Sequence, residues 1–232
     1  ADAAVANNTA ALIVTADVAK EIARIHIMFE ECQIRRGDKI ALIGKDSARW
    51  CIVYMAAVTY GAIVVPILQD FSPNDVHHII NHSESVFLFV SDRIWDTLEE
   101  EMIEDVRGVF SLSDFRCLHQ RDGESIQKLL KGMDEKMAEK YPDGFGKDDI
   151  KYAELDNDKV VEINYTSGTT GFPKGVMLTH YNIANNGFLT GEHMKFTADD
   201  KLCCCVPLFH CFGVVLASMN VLTHGCTQVM VE

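Results

Sequence analysis

A stretch rich in hydroxyl groups and glycine, ending in one lysine, holds the residues best suited to chemistry. It reads Tyr165-Thr166-Ser167-Gly168-Thr169-Thr170-Gly171-Phe172-Pro173-Lys174-Gly175. Glycines let backbone N–H groups approach an anion closely, and the four hydroxyls add donors that rotate to suit. Lys174 adds a compact positive charge. Together these groups suit a polyphosphate, most simply the β- and γ-phosphates of a nucleotide.

Two other interpretations of this stretch are weaker. A P-loop needs Gly, four residues and then Gly-Lys-Ser/Thr, whereas here Pro173 precedes Lys174 and Gly175 follows it. A P-loop-like NTPase would hydrolyse ATP without an acid substrate. A plain surface loop is the other alternative, because Ser, Thr and Gly clusters between elements are usually loops. The ordered string of hydroxyls, glycines and Pro-Lys-Gly favours phosphate binding.

The stretch, continued by Val176-Met177-Leu178-Thr179-His180, resembles the phosphate-binding signature of the adenylate-forming (AMP-binding) superfamily. That superfamily includes acyl- and aryl-CoA synthetases, firefly luciferases and the adenylation domains of peptide synthetases. A weaker resemblance runs from about Ala41 to the C-terminus and includes Tyr60 to Pro66 and Pro207 to His210. It points to the acyl-CoA synthetase (fatty-acid–CoA ligase) branch. Residues 1–10 match nothing in the family.

The resemblance implies a two-step reaction with Mg²⁺-ATP. A carboxylic acid is activated to an acyl-adenylate with release of pyrophosphate, and a thiol, commonly that of CoA, then displaces AMP. By resemblance the β- and γ-phosphates are bound by Thr166, Ser167, Gly168, Thr169, Thr170, Gly171 and Lys174. Lys174 has the catalytic role of neutralising charge, because two anions must meet for in-line attack.

A second group, Pro207-Leu208-Phe209-His210, resembles the segment that lines the acyl pocket of acyl-CoA synthetases. The resemblance gives His210 a catalytic and substrate-binding role and places Phe209 in the pocket. The alternative is a structural histidine at the end of a strand. Amino-acid-activating domains usually have an aspartate here, and residues 207–213 contain no acid. The apolar neighbours therefore favour a fatty or aryl acid.

Composition excludes several other classes. The chain has 232 residues and a formal net charge of −13, which disfavours nucleic acid and anionic membranes as partners. No apolar stretch approaches the length of a membrane span, and the first nine residues do not resemble a signal peptide. These absences favour the cytoplasm. The resemblance implies small-molecule partners: an acid, ATP and CoA.

Cysteine and histidine spacing predicts no metal site. Cys203, Cys204 and Cys205 are consecutive, and neighbours on a strand point to opposite faces. The eight cysteines are therefore expected to be buried free thiols in a reducing compartment. His78 and His82 could share a helix face, but no third ligand is near in sequence, so we expect ordinary surface histidines at 77, 78 and 82.

Apolar strands that alternate with helices predict an α/β fold, with mostly parallel sheets covered by helices on both faces. By resemblance it is part of the superfamily's large N-terminal domain. The predicted helices are 18–32, 47–60, 73–82, 92–105, 124–140, 179–190 and 211–223. The predicted strands are 39–43, 62–67, 86–90, 160–165, 201–206 and 226–231. The loop at 141–146 suggests one subdomain over 1–150, with an acidic helical insertion, and the start of a second over 151–232.

The last predicted strand is apolar and followed only by Glu232, so we expect a chain that is cut short. The family's later motifs supply a glutamate for Mg²⁺, an aspartate for ribose, a hinge and a lysine on a small mobile domain. None of these occurs here. Two compatible hypotheses follow: the N-terminal part of an acyl-CoA synthetase, or a catalytically silent fragment or folding unit. An adenylating enzyme with another acceptor stays open.

Overall fold

A computed structural model describes residues 11–12, 16–121, 123–166, 171 and 173–230. Its strands are β1 (Ala11–Leu12), β2 (Lys39–Ile43), β3 (Ile63–Ile67), β4 (Ser85–Val90), β5 (Gly108–Ser111), β6 (Cys117–Gln120), β7 (Val160–Thr166), β8 (Lys174–Thr179), β9 (Lys201–Cys204) and β10 (Thr227–Met230). Its α-helices are α1 (Ala16–Glu31), α2 (Ala48–Tyr60), α3 (Pro73–His82), α4 (Asp92–Trp95), α5 (Ile126–Lys131), α6 (Met133–Lys140), α7 (His180–Met194) and α8 (Asn220–His224). Short 3₁₀ turns lie at Glu100–Met102 and Lys147–Asp149, and a π-helical segment spans Phe212–Met219.

The larger sheet has seven strands in the order β6-β5-β4-β2-β3-β7-β8. Its five inner strands are parallel, and the two edge strands, β6 and β8, run antiparallel to their neighbours. Alternation along β2 directs Ile40 and Leu42 towards α1 and α2, and Ala41 and Ile43 towards α3. All four side chains are fully buried. The predicted α/β fold with helices on both faces is confirmed.

Local sequence signals explain why the helices begin and end where they do. The Ser47 hydroxyl accepts a hydrogen bond from the Trp50 backbone N–H at 3.1 Å, which caps the start of α2. Gly61 ends that helix in a left-handed conformation with φ +91°. Ser72 caps α3 in the same way, and Pro73 occupies its first turn. These boundaries agree with the sequence prediction.

The predicted acidic helix over 92–105 is wrong. Only α4 and one 3₁₀ turn form there, because side chains of α3 bind the backbone of this segment. The Asn81 amide donates to the Met102 carbonyl at 2.8 Å, and its oxygen accepts from the Glu104 N–H at 3.1 Å. His77 accepts from the Glu99 N–H at 3.0 Å. These contacts replace the hydrogen bonds of a continuous helix.

The predicted helix over 124–140 is also wrong as one element. Gly132 separates α5 from α6, with φ −97° and ψ 15°, outside the helical region. The sequence prediction missed β5 and β6 entirely. β5 pairs in parallel with β4, where Gly108 lies against Phe87 in the register.

A second, smaller sheet has the order β1-β10-β9 and contacts the π-helical segment. β9 and β10 are parallel, as predicted, and β1 pairs antiparallel with β10. β7 and β8 follow residue 150 in the chain, yet they belong to the larger sheet. The proposed subdomain boundary near residue 150 stays a prediction.

Candidate active site at the end of strand β7

The phosphate motif lies on an antiparallel hairpin. β7 ends at Thr166, β8 begins at Lys174, and these two residues are partners in the register. Both side chains are exposed at the mouth of the hairpin. Ser167, Gly168, Thr169 and Thr170 lie outside the described residues. Gly171 is described and has φ +128°, a conformation that favours glycine.

β8 is an element that the sequence prediction missed, because the motif was expected to lead directly to a helix. The apolar run from Val176 to Leu178 was the available signal. Thr179 then caps α7: its hydroxyl accepts from the Asn182 N–H at 3.2 Å, and the Asn182 side chain accepts from the Thr179 N–H at 2.9 Å. The helix predicted to start near Thr179 is confirmed.

The hairpin mouth lies at the edge where the parallel strands have their carboxyl ends. Ligands of open α/β sheets bind at this edge. A cleft of about 190 Å³ opens there, lined by Gly44, Lys45, Asp46, Leu68, Gln69, Asp70, Pro207 and Phe209. The structure therefore brings Phe209 to the ends of β2 and β3, while His210 is not part of this lining.

The Pro207–His210 segment is held by two kinds of contact. The Asp46 carboxylate accepts a hydrogen bond from the Leu208 N–H at 2.9 Å, and the Leu208 side chain is fully buried. The His210 side chain is exposed, and its Nδ1 accepts from the Phe212 N–H at 3.1 Å. Because Nδ1 is an acceptor, the proton of the neutral ring lies on Nε2. The ring thus presents Nε2 to solvent.

A buried polar network joins this segment to β7. The Asn164 amide donates to the Phe209 carbonyl at 2.9 Å and to Oε1 of Glu162 at 3.1 Å. The Tyr54 hydroxyl donates to Oε2 of Glu162 at 2.7 Å. Burial raises the pKa of Glu162, although both hydrogen bonds oppose that effect. Burial beside this carboxylate also raises the pKa of Tyr54.

The sequence prediction did not include Tyr54, Glu162, Asn164 or Asp46. A signal for two of them was present in β7, where polar residues alternate with apolar ones at 162 and 164. Alternation places these two side chains on one face of the strand, with Thr166 on the same face. The sequence alone could therefore predict that Glu162 and Asn164 face the same side of β7, but it could not predict that they bind Tyr54 on α2 and the Phe209 carbonyl after β9.

The opposite face of β7 contacts α3 through Tyr165. The Tyr165 hydroxyl and Nδ1 of His82 are 2.7 Å apart, and the two rings meet edge to face. The expectation of ordinary surface histidines is wrong for His77, which is buried and accepts from a backbone N–H. His82 is likewise engaged. Both contacts depend on tertiary packing that helix periodicity does not reveal.

All eight cysteines are free, but their burial differs from the expectation. Cys203 and Cys205 are exposed and Cys204 is buried, so consecutive residues do point to opposite faces. Cys211 is exposed as well. The expectation of buried thiols is wrong for these three: Cys203 lies on β9 with its side chain exposed, and Cys205 and Cys211 lie in the segment after it.

Within the described ranges, no group of three or more His, Cys, Asp or Glu side chains converges to hold a metal ion. None of the described helices is long and apolar enough to cross a membrane.

A larger cleft of about 640 Å³ lies along the same carboxyl edge of the sheet, over β2, β3 and β4. Three of its lining residues are basic: Lys45, Arg49 and Arg93. In the part of the chain that the structure describes, no hydrogen bond or ion pair engages these three side chains. Two acidic residues, Asp46 and Asp70, line the same cleft, so its basic side chains exceed its acidic ones by one. An anionic ligand would be attracted by the three basic side chains.

Curated relatives that match this chain include two CoA ligases. The acyl-CoA ligase sidI of Aspergillus fumigatus is 33% identical over 202 residues, covering 83% of this chain and 33% of the relative. The crotonobetaine/carnitine–CoA ligase of Proteus mirabilis is 29% identical over 217 residues, covering 92% of this chain and 39% of the relative. The chain thus spans between a third and two fifths of the length of these relatives.

Solved structures with the same fold include the anthranilate CoA ligase AuaEII in complex with anthranoyl-AMP. Its TM-score is 0.75 at 20% identity, covering 93% of this chain and 39% of that chain. ATP-bound MatB from Rhodopseudomonas palustris has a TM-score of 0.71 at 21% identity, and the match covers 94% of this chain and 39% of that chain. The model of the family "AMP-binding enzyme" matches residues 10–232. The motif, the fold and this match together show that the chain belongs to the AMP-binding enzyme family.

Proposed function

We propose that this chain is the part of an ATP-dependent acid–CoA ligase that binds the phosphates of ATP and one wall of the acid pocket. The observation that carries the proposal is the β7–β8 hairpin, where Thr166 and Lys174 are register partners at the carboxyl edge of the sheet. The cleft at that edge includes Phe209. The names of the curated relatives support the reaction class.

The chemistry follows from charge. An acid carboxylate attacks the α-phosphate of ATP, so two anions must approach each other, and pyrophosphate must leave in line. Lys174 neutralises negative charge on the β- and γ-phosphates, and the motif hydroxyls and amides donate hydrogen bonds to them. The products of this step are an acyl-adenylate and pyrophosphate. A thiol then attacks the acyl carbon and AMP departs.

The acid is proposed to be fatty or aryl. Its pocket wall is Phe209, which packs against the main core, and Leu208 behind it is fully buried. Residues 207–213 contain no acidic side chain that would pair with an amino group. His210 presents Nε2 beside this wall, where it can donate a hydrogen bond to the substrate carboxylate.

CoA is the proposed acceptor, and the basic cleft supports this choice. CoA carries several phosphates, and Lys45, Arg49 and Arg93 line a cleft on the same edge of the sheet. Mg²⁺ is proposed to arrive bound to ATP. A reducing compartment such as the cytoplasm suits a chain with three exposed free thiols.

The test replaces Lys174 by Ala in the complete enzyme. Loss of a charge-assisted contact should lower acid-dependent ATP–pyrophosphate exchange by about 10- to 100-fold. The matched control is Lys159→Ala, an exposed lysine at the other end of the same hairpin, which should exchange at the wild-type rate. Unchanged exchange in Lys174→Ala would contradict the proposal, and ATP hydrolysis without acid would favour an NTPase instead.

A further inference from the structure

A carboxylate lies in the interior of the seven-stranded sheet without a cation beside it. Glu162 is fully buried on β7, between β3 and β8. Its hydrogen bonds are to Tyr54 and Asn164, and no ion pair joins it to any described residue. A buried acid is costly unless its oxygens are satisfied, and here each oxygen accepts one hydrogen bond.

The geometry gives Asn164 a linking role. Its amide nitrogen has two protons: one is donated to Glu162 at 3.1 Å and the other to the Phe209 carbonyl at 2.9 Å. Asn164 lies two residues before Thr166 and on the same face of β7. The Phe209 carbonyl precedes His210. One side chain thus joins the strand that leads into the phosphate motif to the proposed acid pocket.

Glu162 determines which way the Asn164 amide points. If the amide were rotated by half a turn, its oxygen would face both the Glu162 carboxylate and the Phe209 carbonyl, and all of these groups are acceptors. The carboxylate therefore excludes that orientation. Glu162 is itself held by Tyr54, whose ring stacks on Trp50 with centroids 5.5 Å apart and planes 12° apart. Three hydrogen bonds in series therefore connect Tyr54 on α2, through Glu162 and Asn164 on β7, to the Phe209 carbonyl.

We propose that Glu162 and Asn164 are positioning residues that fix Phe209 and His210 relative to the phosphate motif. The catalytic importance of this positioning rests on the proposed function, whereas the hydrogen bonds of Asn164 to Glu162 and Phe209 form without ATP or acid. The distance between acid pocket and phosphate site matters because in-line attack requires the acid carboxylate at the α-phosphate. Losing the link should loosen the Phe209 segment and leave the pairing of β7 with β8 intact.

Hydrogen–deuterium exchange on this chain, without ligand, tests the link. Asn164→Leu keeps the approximate side-chain shape but donates nothing, so the amides of residues 208–213 should exchange about tenfold faster. Glu162→Gln should stay close to wild type, because its amide oxygen can still accept from Asn164. Tyr54→Phe should raise exchange in residues 208–213 by a smaller factor, although the Tyr54 hydroxyl donates its hydrogen bond to Glu162 and not to them.

The matched control is Asn81→Leu, which removes a similar amide-to-carbonyl bond far from the site. It should accelerate exchange near Met102 and leave residues 208–213 unchanged. Unchanged exchange of residues 208–213 in Asn164→Leu overturns the proposal, as does an equal rise in the amides of β2. If Asn164→Leu does not fold, the exchange of residues 208–213 in Tyr54→Phe decides: faster exchange there supports the proposal, and unchanged exchange overturns it.

A kinetic measurement in the complete enzyme separates positioning from simple stability. Asn164→Leu should raise the KM for the acid about tenfold and leave the KM for ATP unchanged, and Glu162→Gln should remain near wild type for both. An equal change in the two KM values would overturn the positioning role. Failure of the proposed function would give a different result: either the wild-type enzyme would show no acid-dependent ATP–pyrophosphate exchange, or Lys174→Ala would leave that exchange unchanged.

Discussion

The two sheets of this chain differ in how completely their surroundings cover them. The central strands of the seven-stranded sheet are buried on both faces, as the fully buried Ile40 and Ala41 illustrate. Around the smaller sheet and the hairpin edge, large apolar side chains face solvent: Val176, Met177, Tyr181, Phe188, Leu189, Met194 and Phe212. Such a surface is typical of a face that packs against further protein. The region next to the candidate site is therefore less completely covered than the central strands of the larger sheet.

The largest effect should come from removing the same side chain in the two regions. Phe87 is fully buried between Phe29 and Phe110, so Phe87→Ala should lower the free energy of unfolding by about 3–5 kcal/mol. Phe188 is 48% exposed, and Phe188→Ala should cost about 1 kcal/mol or less. Urea unfolding of both variants measures the difference. Equal losses would show that the contrast between the two regions is false.

A smaller effect is expected where backbone segments touch beside the site. A Cβ at Gly213 would lie 2.2 Å from the Pro207 carbonyl oxygen, so Gly213→Ala must displace that segment. We expect a loss of about 1–3 kcal/mol in thermal or urea unfolding. Gly132→Ala is the control, because its Cβ would meet nothing closer than 3.8 Å and its φ is negative. A loss in Gly132→Ala that equals the loss in Gly213→Ala would argue against the close approach.

The smallest effect depends on pH. Burial raises the pKa of Glu162 above its ordinary value of 4.5, so between 4.5 and the folded pKa the native state binds more protons than the unfolded state. Stability contributed by this group is therefore complete below pH 4.5 and falls as the pH rises through the folded pKa. Glutamine does not titrate.

Glu162→Gln should therefore gain stability relative to wild type as the pH rises, and the gain should level off above the folded pKa. Urea unfolding at a series of pH values measures this difference. Glu139→Gln is the control, because its carboxylate is exposed. A difference that is independent of pH would mean that burial does not perturb Glu162.

The fold was predictable where short-range signals agree with packing. Ser47 and Gly61 bound α2, Pro73 begins α3, and the apolar run of β2 identifies a buried parallel strand. The prediction failed where side chains from distant residues bind the backbone. Asn81 stops a helix after α4 in this way, and no periodicity in residues 92–105 could show it.

The candidate site was predictable as a sequence motif, but the arrangement of its residues was not. The sequence motif identified Thr166 and Lys174, and the structure adds that they face each other across a hairpin. The resemblance pointed to Phe209 and His210, but not to the hydrogen bonds that hold their segment. Asn164 donates to the Phe209 carbonyl, and these residues are 45 positions apart in sequence. The Leu208 N–H donates to Asp46, and these residues are 162 positions apart. Long-range hydrogen bonds of this kind leave no local pattern.

The alternation of β7 also has a consequence for folding. A slip of one residue in the pairing of a strand moves every side chain to the opposite face of the sheet. In β7, a slip of one residue would turn Glu162 and Asn164 towards the apolar side of α3 and Tyr165 towards Phe209. Both polar groups would then be buried without partners. Glu162 and Asn164 thus help to specify the register of β7, because misaligned pairing of this strand would cost the free energy of burying two polar groups without partners.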